Sequence, residues 1–313
     1  MPRKSDANGL VERVLRGEHA AASRALSLVV DEAPEADALS KAFFPKSGSA
    51  QKIGVCGPPG AGKSSLTSRL VSFYRKLGLK VGILAVDPSS PISGGAFLGD
   101  RLRIQEHALD SGVFIRSLAN RGMIGGVSYT IFGAMHVLEA WGCDKIIVET
   151  VGTGQDEVEI AKVADSILYV TTPQMGDEIQ AMKAGVMEIG DIFVVNKADL
   201  HGSDKALADL RGALSLGRGH ERKPWESPVL GTSALSGKGI AELGAELDRH
   251  WGYLKGGGEG RRRLREQHKE ELSLYISRRI YRDALSQISE KALDELVEHK
   301  IDPASLGARI LKG

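Results

Sequence analysis

The chain has 313 residues, which is enough for one large domain with extensions or for two domains. Apolar residues make up 42% and charged residues 26% of it, as in an ordinary globular protein, and no apolar run approaches the roughly 18 residues of a membrane-spanning helix. A net charge of +1 argues against broad electrostatic binding to nucleic acid or to a membrane, so we expect neither as a partner.

The two cysteines, Cys56 and Cys143, each lie in an apolar run. This placement favours buried free thiols in a reducing compartment over a disulfide or a metal site. The first residues lack the apolar segment of a secretion signal, and Asp6, Glu12 and Glu18 do not fit an acid-poor transit peptide. We therefore expect a cytoplasmic protein.

Three regions follow one another along the chain. Residues 1–48 repeat apolar side chains at three- and four-residue spacing and are rich in alanine, which predicts a helical extension packed on the next domain, with a separate adaptor as the alternative. Residues 49–255 alternate apolar strands with helical stretches, which predicts an α/β fold with a doubly wound, mostly parallel sheet. Residues 256–313 are expected to form a C-terminal helical arm.

The strands and helices of the α/β region can be assigned from these patterns. The predicted strands are residues 53–56, 81–86, 113–117, 145–149, 167–171, 192–196 and 229–232. The predicted helices are residues 63–77, 100–110, 126–140, 156–164, 177–188, 203–216 and 240–251. In such folds ligands bind at the carboxyl ends of the strands, so the chemistry should collect in the turns that follow them.

The arm begins after a glycine-rich segment, residues 256–260, whose composition predicts a flexible joint. An apolar stripe then runs through Leu264, Leu272, Ile276 and Ile280. Such an arm has too little core of its own and must pack elsewhere. Two alternatives stay open, packing on its own domain or a contact with a second copy of the chain.

The strongest motif is a Walker A sequence, Gly-x-x-x-x-Gly-Lys-Ser, directly after the first strand. It predicts a P-loop nucleotide-binding fold, because its glycines let backbone N–H groups approach phosphate oxygens at the start of a helix. Lys63 would supply charge to the β- and γ-phosphates, and the Ser64 hydroxyl would be a Mg²⁺ ligand. The predicted nucleotide-binding residues here are Gly57, Pro58, Pro59, Gly60, Ala61, Gly62, Lys63, Ser64 and Ser65.

A second motif, Asn196-Lys197-Ala198-Asp199, ends the strand predicted at 192–196. A carboxylate at Asp199 accepts two hydrogen bonds from guanine N1–H and its exocyclic amine, a pair that adenine lacks. Asn196 would brace the Walker turn and the nucleotide. Farther along, the backbone N–H groups of Ser233, Ala234 and Leu235 could meet guanine O6, so we predict that the nucleotide is GTP or GDP.

The third motif is Glu149-x-x-Gly152, where regulatory GTPases usually have Asp-x-x-Gly. The Glu149 carboxylate suits the Mg²⁺ shell, directly or through water, and the Gly152 N–H could sense the γ-phosphate. A buried structural glutamate is the alternative. Thr153 follows Gly152 in place of the water-positioning glutamine of signalling GTPases, which predicts slow hydrolysis that depends on a partner.

Two further carboxylates are candidates for the catalytic and metal site. Asp87 ends the strand predicted at 81–86, and Asp100 follows a glycine-rich loop. Together with Lys63, Ser64 and Glu149 they make up the predicted catalytic and Mg²⁺-binding set. Asp100 could instead be a helix N-cap. Arg101 and Arg103 could neutralise charge in the transition state, although surface arginines are common.

Together, these motifs resemble those of one family, the methylmalonyl-CoA mutase-associated GTPases, also called ArgK-type proteins or LAO/AO transport ATPases. The segments Ala-Val-Asp-Pro-Ser-Ser at 85–90 and Val-Glu-Thr-Val-Gly at 148–152 are specific to it. The resemblance implies a GTP-hydrolysing chaperone that assists, protects or reactivates an adenosylcobalamin-dependent mutase of the methylmalonyl-CoA type and gates its cofactor loading. It also implies a homodimer formed through the C-terminal helices.

Two other functions compete with this one. A metallochaperone GTPase for metalloenzyme maturation would need a cluster of thiols or imidazoles, whereas the eight histidines are scattered and the two cysteines lie in apolar runs. A transport-linked kinase or ATPase is disfavoured by Asp199, which selects guanine.

Overall fold

The computed structural model describes residues 4–88, 105–120, 129–150, 159–175, 184–217 and 224–311. The chain divides into two compact units, Met1–Gln267 and His268–Gly313. The predicted residues Asp100, Arg101, Arg103, Gly152 and Thr153 lie outside the described residues.

Seven parallel strands form one sheet in the described part of the first unit, in the order β3-β2-β4-β1-β5-β6-β7. They are β1 (Gln51–Cys56), β2 (Val81–Pro88), β3 (Val113–Asn120), β4 (Lys145–Thr150), β5 (Ser166–Thr171), β6 (Ile192–Val195) and β7 (Val229–Gly231). Every residue of β1, β4, β5 and β6 is buried, as expected for a parallel sheet that is covered on both faces. All seven predicted strands are present, and the predicted fold class is confirmed.

The helices that the structure describes are α1 (Lys4–Leu15), α2 (His19–Val30), α3 (Ala36–Phe43), α4 (Lys63–Lys76), α5 (Thr130–Trp141), α6 (Ala184–Ile189), α7 (Ser203–Gly217), α8 (Ile240–Gly256), α9 (Gly258–Leu285), α10 (Glu290–Val297) and α11 (Pro303–Leu311). Within the described ranges, none of them combines the length and the apolar character that crossing a bilayer requires.

Three predicted helices are shorter than expected over their described residues. The one predicted at 100–110 is a single 3₁₀ turn, Gln105–His107, and the one at 156–164 is a 3₁₀ turn, Ile160–Lys162. The one at 177–188 corresponds to α6. Helix propensity is a weak prior that tertiary contacts override, and in the first case Glu106, His107 and Asp110 all bond to side chains of α4.

The N-terminal helices pack on the sheet-bearing part of the first unit, as the sequence favoured. The indole N–H of Trp141 in α5 donates to the Gly17 carbonyl oxygen at 3.0 Å, and the His19 ring stacks on Phe114 at 4.7 Å between centroids. A Cβ at Gly133 would lie 2.5 Å from the Val29 side chain, so glycine allows α5 to approach α2 closely.

The main core lies between one face of the sheet and helices α4 and α8. Its apolar side chains include Ile53, Val55 and Leu168 from the strands, Leu66 from α4 and Leu243 from α8. Because α4 is held by this apolar face, its N-terminus is fixed at the carboxyl end of β1.

The glycine-rich segment at 256–260 makes a tight connection, contrary to the predicted flexible joint. Helix α8 runs to Gly256 and α9 begins at Gly258. A Cβ at Gly260 would lie 2.1 Å from the Leu254 carbonyl oxygen, so glycine at this position permits a close backbone approach of α9 to α8. The compact units divide only after Gln267, and the predicted boundaries at 48 and 255 stay a prediction.

A polar cluster lies at the amino ends of the strands, at the opposite edge of the sheet from the Walker turn. The Ser166 hydroxyl is 2.8 Å from His250 Nδ1, and His250 Nε2 is 3.4 Å from Asp191 Oδ1. Two nitrogens of Arg263 donate to the two Asp191 oxygens, each at 2.7 Å. The His250 side chain is fully buried, and this burial lowers its pKa to about 4.

We expect stability to fall between pH 6.5 and pH 4 because of His250. In this window the unfolded chain binds a proton at His250 that the folded chain excludes, which costs about 3 kcal/mol across the whole range. The free energy of unfolding can be measured by urea denaturation at several pH values. Its slope against pH should be smaller in His250→Asn than in the native protein, by about 1.4 kcal/mol per pH unit.

The matched control is His201→Asn, since His201 is exposed. Its pH dependence should match that of the native protein. Equal slopes for His250→Asn and the native protein would contradict a neutral, buried His250.

Candidate nucleotide-binding site

The loop after β1 curls tightly against the neighbouring strand. Gly57, Gly60 and Gly62 have φ values of 135°, 78° and 84°, the left-handed region that favours glycine. A Cβ at Gly57 would lie 2.0 Å from the Val170 carbonyl oxygen in β5. The glycines of the Walker pattern are therefore required both by backbone conformation and by space.

Lys63 and Ser64 open α4 at the end of this loop, where Gly62 is the N-cap residue. The Lys63 ammonium donates to the carbonyl oxygens of Gly57 at 2.7 Å and Pro58 at 3.1 Å. This keeps a compact positive charge inside the loop, beside the positive end of the helix dipole. The arrangement is that of an anion-binding turn.

Glu149 meets Ser64 across the sheet. The Ser64 hydroxyl donates to Glu149 Oε1 at 2.5 Å, and both residues are buried. The register explains the contact, since Glu149 lies beside Val55 of β1 and Ala85 of β2, near the carboxyl ends of three strands. A hydroxyl and a carboxylate are hard oxygen donors, so this pair fits a Mg²⁺ ion.

Asp87, the other described member of the predicted metal set, is placed by the backbone alone. It lies in β2 one residue beyond the pair Val86–Thr150, and thus at the same edge of the sheet as Glu149. Its metal role, like that of Asp100, stays a prediction.

Asn196 joins the phosphate-binding loop to the loop after β7. Its amide nitrogen donates to the Ala61 carbonyl oxygen at 2.9 Å, while its amide oxygen accepts from the Thr232 hydroxyl at 3.3 Å and the Ala234 N–H at 3.2 Å. The side chain is buried, so these bonds are shielded from water. The contact predicted between Asn196 and the Walker turn is present.

Lys197 and Asp199 lie on the rim of the same cleft. Lys197 has a positive φ of 56° and donates its ammonium to the Gly60 carbonyl oxygen at 3.0 Å. The Ser233 hydroxyl beside Asp199 lowers the pKa of that exposed carboxyl. Asp199 is therefore a charged acceptor facing solvent next to the 233–235 loop.

Gly62, Asn196, Lys197 and Asp199 line one cleft of about 510 Å³. The phosphate-binding loop, the segment 196–200 and the loop 233–235 supply most of its lining. Sequence reasoning missed four further lining residues, Ser68, Arg69, Glu106 and Leu200. Ser68 and Arg69 lie three and four residues after the predicted Ser65, so helical spacing alone could have placed them on the same face of α4.

Arg69 of α4 holds the loop 233–235 by hydrogen bonds to its backbone. Its guanidinium donates to the carbonyl oxygens of Ala234 at 2.7 Å and Leu235 at 3.1 Å. These two hydrogen bonds fix the backbone of the loop against α4.

The described residues hold no group of three or more His, Cys, Asp or Glu side chains that could bind a metal by themselves. Cys56 and Cys143 are buried free thiols, as predicted, and burial raises the pKa of Cys143. A cargo-metal site, which a metallochaperone needs, therefore finds no support within these parts of the chain.

A parallel sheet with a glycine-rich anion turn after β1, and an Asn-Lys-x-Asp segment after β6, defines a P-loop nucleotide-binding protein. Residues 22–289 match the family model described as methylmalonyl-CoA mutase-associated GTPase MeaB, and the chain belongs to that family. It is a GTPase, which hydrolyses GTP.

Similar proteins agree with this assignment. A protein of Pyrococcus abyssi that is named as a GTPase is 42% identical over 308 residues, which cover 97% of this chain and 95% of that protein. A protein of Mycobacterium tuberculosis, also named as a GTPase, is 40% identical over 267 residues, 83% of this chain and 79% of its own length. The crystal structure of an LAO/AO transport system kinase superposes with a TM-score of 0.73 at 26% identity, covering 100% of this chain and 98% of that one.

Proposed function

We propose that this GTPase is a chaperone of an adenosylcobalamin-dependent methylmalonyl-CoA mutase, which it assists, protects or reactivates and whose cofactor loading it gates. The observation that carries the proposal is the match of residues 22–289 to a family described as associated with that mutase. The match begins within α2 and runs through α3, the nucleotide-binding sheet and all of α9, so it includes more than the motifs shared by all P-loop proteins.

The residues assigned to the phosphates and the metal form one set at the carboxyl edge of the sheet. Lys63 would bind the β- and γ-phosphates, and Ser64 with Glu149 would hold Mg²⁺, with Asp87 and Asp100 completing the set. Mg²⁺ would neutralise charge that develops on the phosphate oxygens during hydrolysis. The close Ser64–Glu149 contact supports this assignment, because a buried carboxylate needs a partner.

Nucleotide state would be read by the segment after β4. We propose that the Gly152 N–H contacts the γ-phosphate, so that this segment differs between the GTP and GDP states. With Thr153 in place of an adjacent glutamine, intrinsic hydrolysis would be slow and the bound mutase would accelerate it.

Guanine would be read by Asp199 and the loop 233–235. The carboxylate would accept from N1–H and the exocyclic amine. Of the three backbone N–H groups assigned to O6, those of Ser233 and Ala234 donate to the Lys238 carbonyl oxygen at 2.9 Å and to Asn196 Oδ1 at 3.2 Å, so the Leu235 N–H would be the donor. The ionised state of Asp199 and the bracing of the loop by Asn196 and Arg69 support this assignment.

Asp199→Asn should change the preference of the protein from guanine nucleotides to xanthine nucleotides. Guanine donates at the 2-position, whereas xanthine presents a carbonyl there, and an amide N–H can bond to it. We expect the affinity for GDP to fall by about 10- to 150-fold, the value of a hydrogen bond to a charged group, and the affinity for xanthosine diphosphate to rise. Isothermal titration calorimetry measures both constants.

Asp204→Asn in α7 is the matched control, and it should leave both affinities unchanged. The guanine assignment of Asp199 is wrong if Asp199→Asn binds GDP like the native protein.

Association with the mutase is tested with purified proteins. We expect the mutase to bind the chain with affinities that differ by about 5- to 150-fold between GDP and a non-hydrolysable GTP analogue, and to raise the rate of GTP hydrolysis. Surface plasmon resonance and phosphate release measure the two effects. Lys63→Ala, which loses the phosphate-binding ammonium, should bind mutase without hydrolysing GTP.

An absence of binding in both nucleotide states, together with an unchanged hydrolysis rate, would remove the chaperone role. The GTPase assignment would stand in that case.

We also propose a homodimer formed through the C-terminal helices. Helix α9 exposes 58% of Leu272, 46% of Ile276 and 50% of Ile280, which lie at four-residue spacing along one stripe. A second copy could cover such a stripe.

Ile276→Glu combined with Ile280→Glu should give a monomer by light scattering that still binds GDP. Lys269→Glu, an exposed change on the same helix, should not alter the mass. A mass that is the same in the double variant and in the native protein would exclude this stripe from the interface.

A further inference from the structure

Glu106 lines the cleft, but it belongs to none of the nucleotide-binding motifs. It lies in the 3₁₀ turn Gln105–His107, and its side chain is 58% exposed. The Ser68 hydroxyl of α4 donates to Glu106 Oε1. His107 Nε2 lies 3.0 Å from the Ser68 carbonyl oxygen, so two adjacent side chains hold this turn against α4.

The position of Ser68 along α4 shows which part of a nucleotide Glu106 would face. Ser64, at the start of the helix, follows the phosphate-binding loop and meets Glu149. Arg69, five residues farther along α4, holds Ala234 and Leu235 of the loop assigned to guanine. Ser68 lies between Ser64 and Arg69 along the helix, about one turn after Ser64, and lines the cleft together with Glu106. The sugar is the part of a nucleotide that joins the phosphates to the base.

The chemistry of a carboxylate fits the sugar and not the phosphates, and the base is assigned to Asp199. A carboxylate repels phosphate oxygens, but its acceptor-only oxygens match the donor hydroxyls of a ribose. It has about four lone-pair positions, of which the Ser68 hydroxyl occupies one. The Ser68 bond also restricts the side chain before the ligand arrives, which lowers the entropic cost of binding.

We propose that Glu106 binds the ribose hydroxyls of the guanine nucleotide and selects ribonucleotides over deoxyribonucleotides. The proposal rests on the proposed placement of guanine at Asp199. Hydrogen bonds from hydroxyls to a charged acceptor predict a preference of about 10- to 150-fold for GDP over 2′,3′-dideoxy-GDP in the native protein.

A thermodynamic cycle on the full chain separates this role from a purely structural one. The affinities of the native protein and of Glu106→Ala for GDP and for 2′,3′-dideoxy-GDP are measured by calorimetry. Glu106→Ala should lower the affinity for GDP by about 10-fold or more and leave the affinity for 2′,3′-dideoxy-GDP unchanged. The reason is that the carboxylate lost in the variant and the hydroxyls missing from the analogue belong to the same contact.

Glu106→Gln is a second variant that keeps the contact with α4, because the amide oxygen still accepts a hydrogen bond from the Ser68 hydroxyl. It therefore tests the charge of Glu106 without disturbing the fold. A neutral acceptor is about half as strong as a charged one, so the preference should fall part of the way. Glu242→Ala, an exposed change on α8, is the matched control and should keep the native preference.

Two results would overturn the proposal. If Glu106→Ala lowers the affinities for both ligands equally, Glu106 only holds its turn on α4. If it changes neither affinity, Glu106 does not contact the ribose. ADP serves to distinguish these results from a failure of the guanine placement. If the native protein binds ADP as tightly as GDP, the assignment of guanine to Asp199 is wrong, independently of the ribose preference.

Discussion

The site depends on one steric constraint, the passage of Gly57 against β5. With the Val170 carbonyl oxygen only 2.0 Å from where a Cβ would be, the chain has room for no other residue at this point. The same close approach turns the loop so that Lys63 and Ser64 open α4 at the carboxyl edge of the sheet. Asn196 then fixes the far end of the loop through the Ala61 carbonyl oxygen. The phosphate-binding loop, the Ser64–Glu149 pair and the Asn196–Asp199 segment thus share one support.

At the edge of the sheet away from the cleft, an ion pair and hydrogen bonds attach α9 to the sheet. Arg263 in the first turns of α9 binds both oxygens of Asp191, and Gln267 donates to the Ala164 carbonyl oxygen at 3.0 Å. Removing one partner of such a pair would leave a buried charge uncompensated. The beginning of α9 is therefore part of the first unit, although the helix continues beyond Gln267 into the second.

Much of the fold was predictable because its signals are local. Apolar runs with intervening helical patterns located all seven strands, and the Walker and Asn-Lys-x-Asp sequences marked the ends of β1 and β6. Spacing could not foresee the 3₁₀ turn at Gln105–His107, where contacts with α4 override helix propensity. The glycines near 258 were misread as a joint, because composition does not distinguish a flexible link from a close approach of two helices.

The sequence by itself determined the class of the protein, since the residue types needed to bind a triphosphate and to read guanine are few and occur in a fixed order. The tertiary structure alone decided which side chains meet. Strand order places Glu149 beside Ser64 although 85 residues separate them, and it brings Asn196, Arg69 and the loop after β7 together. Glu106 lines the cleft because its own bond to Ser68 and the contact of His107 with Ser68 hold the turn against α4. Such contacts arise from the packing of distant segments, which leaves no periodic or local pattern in the sequence.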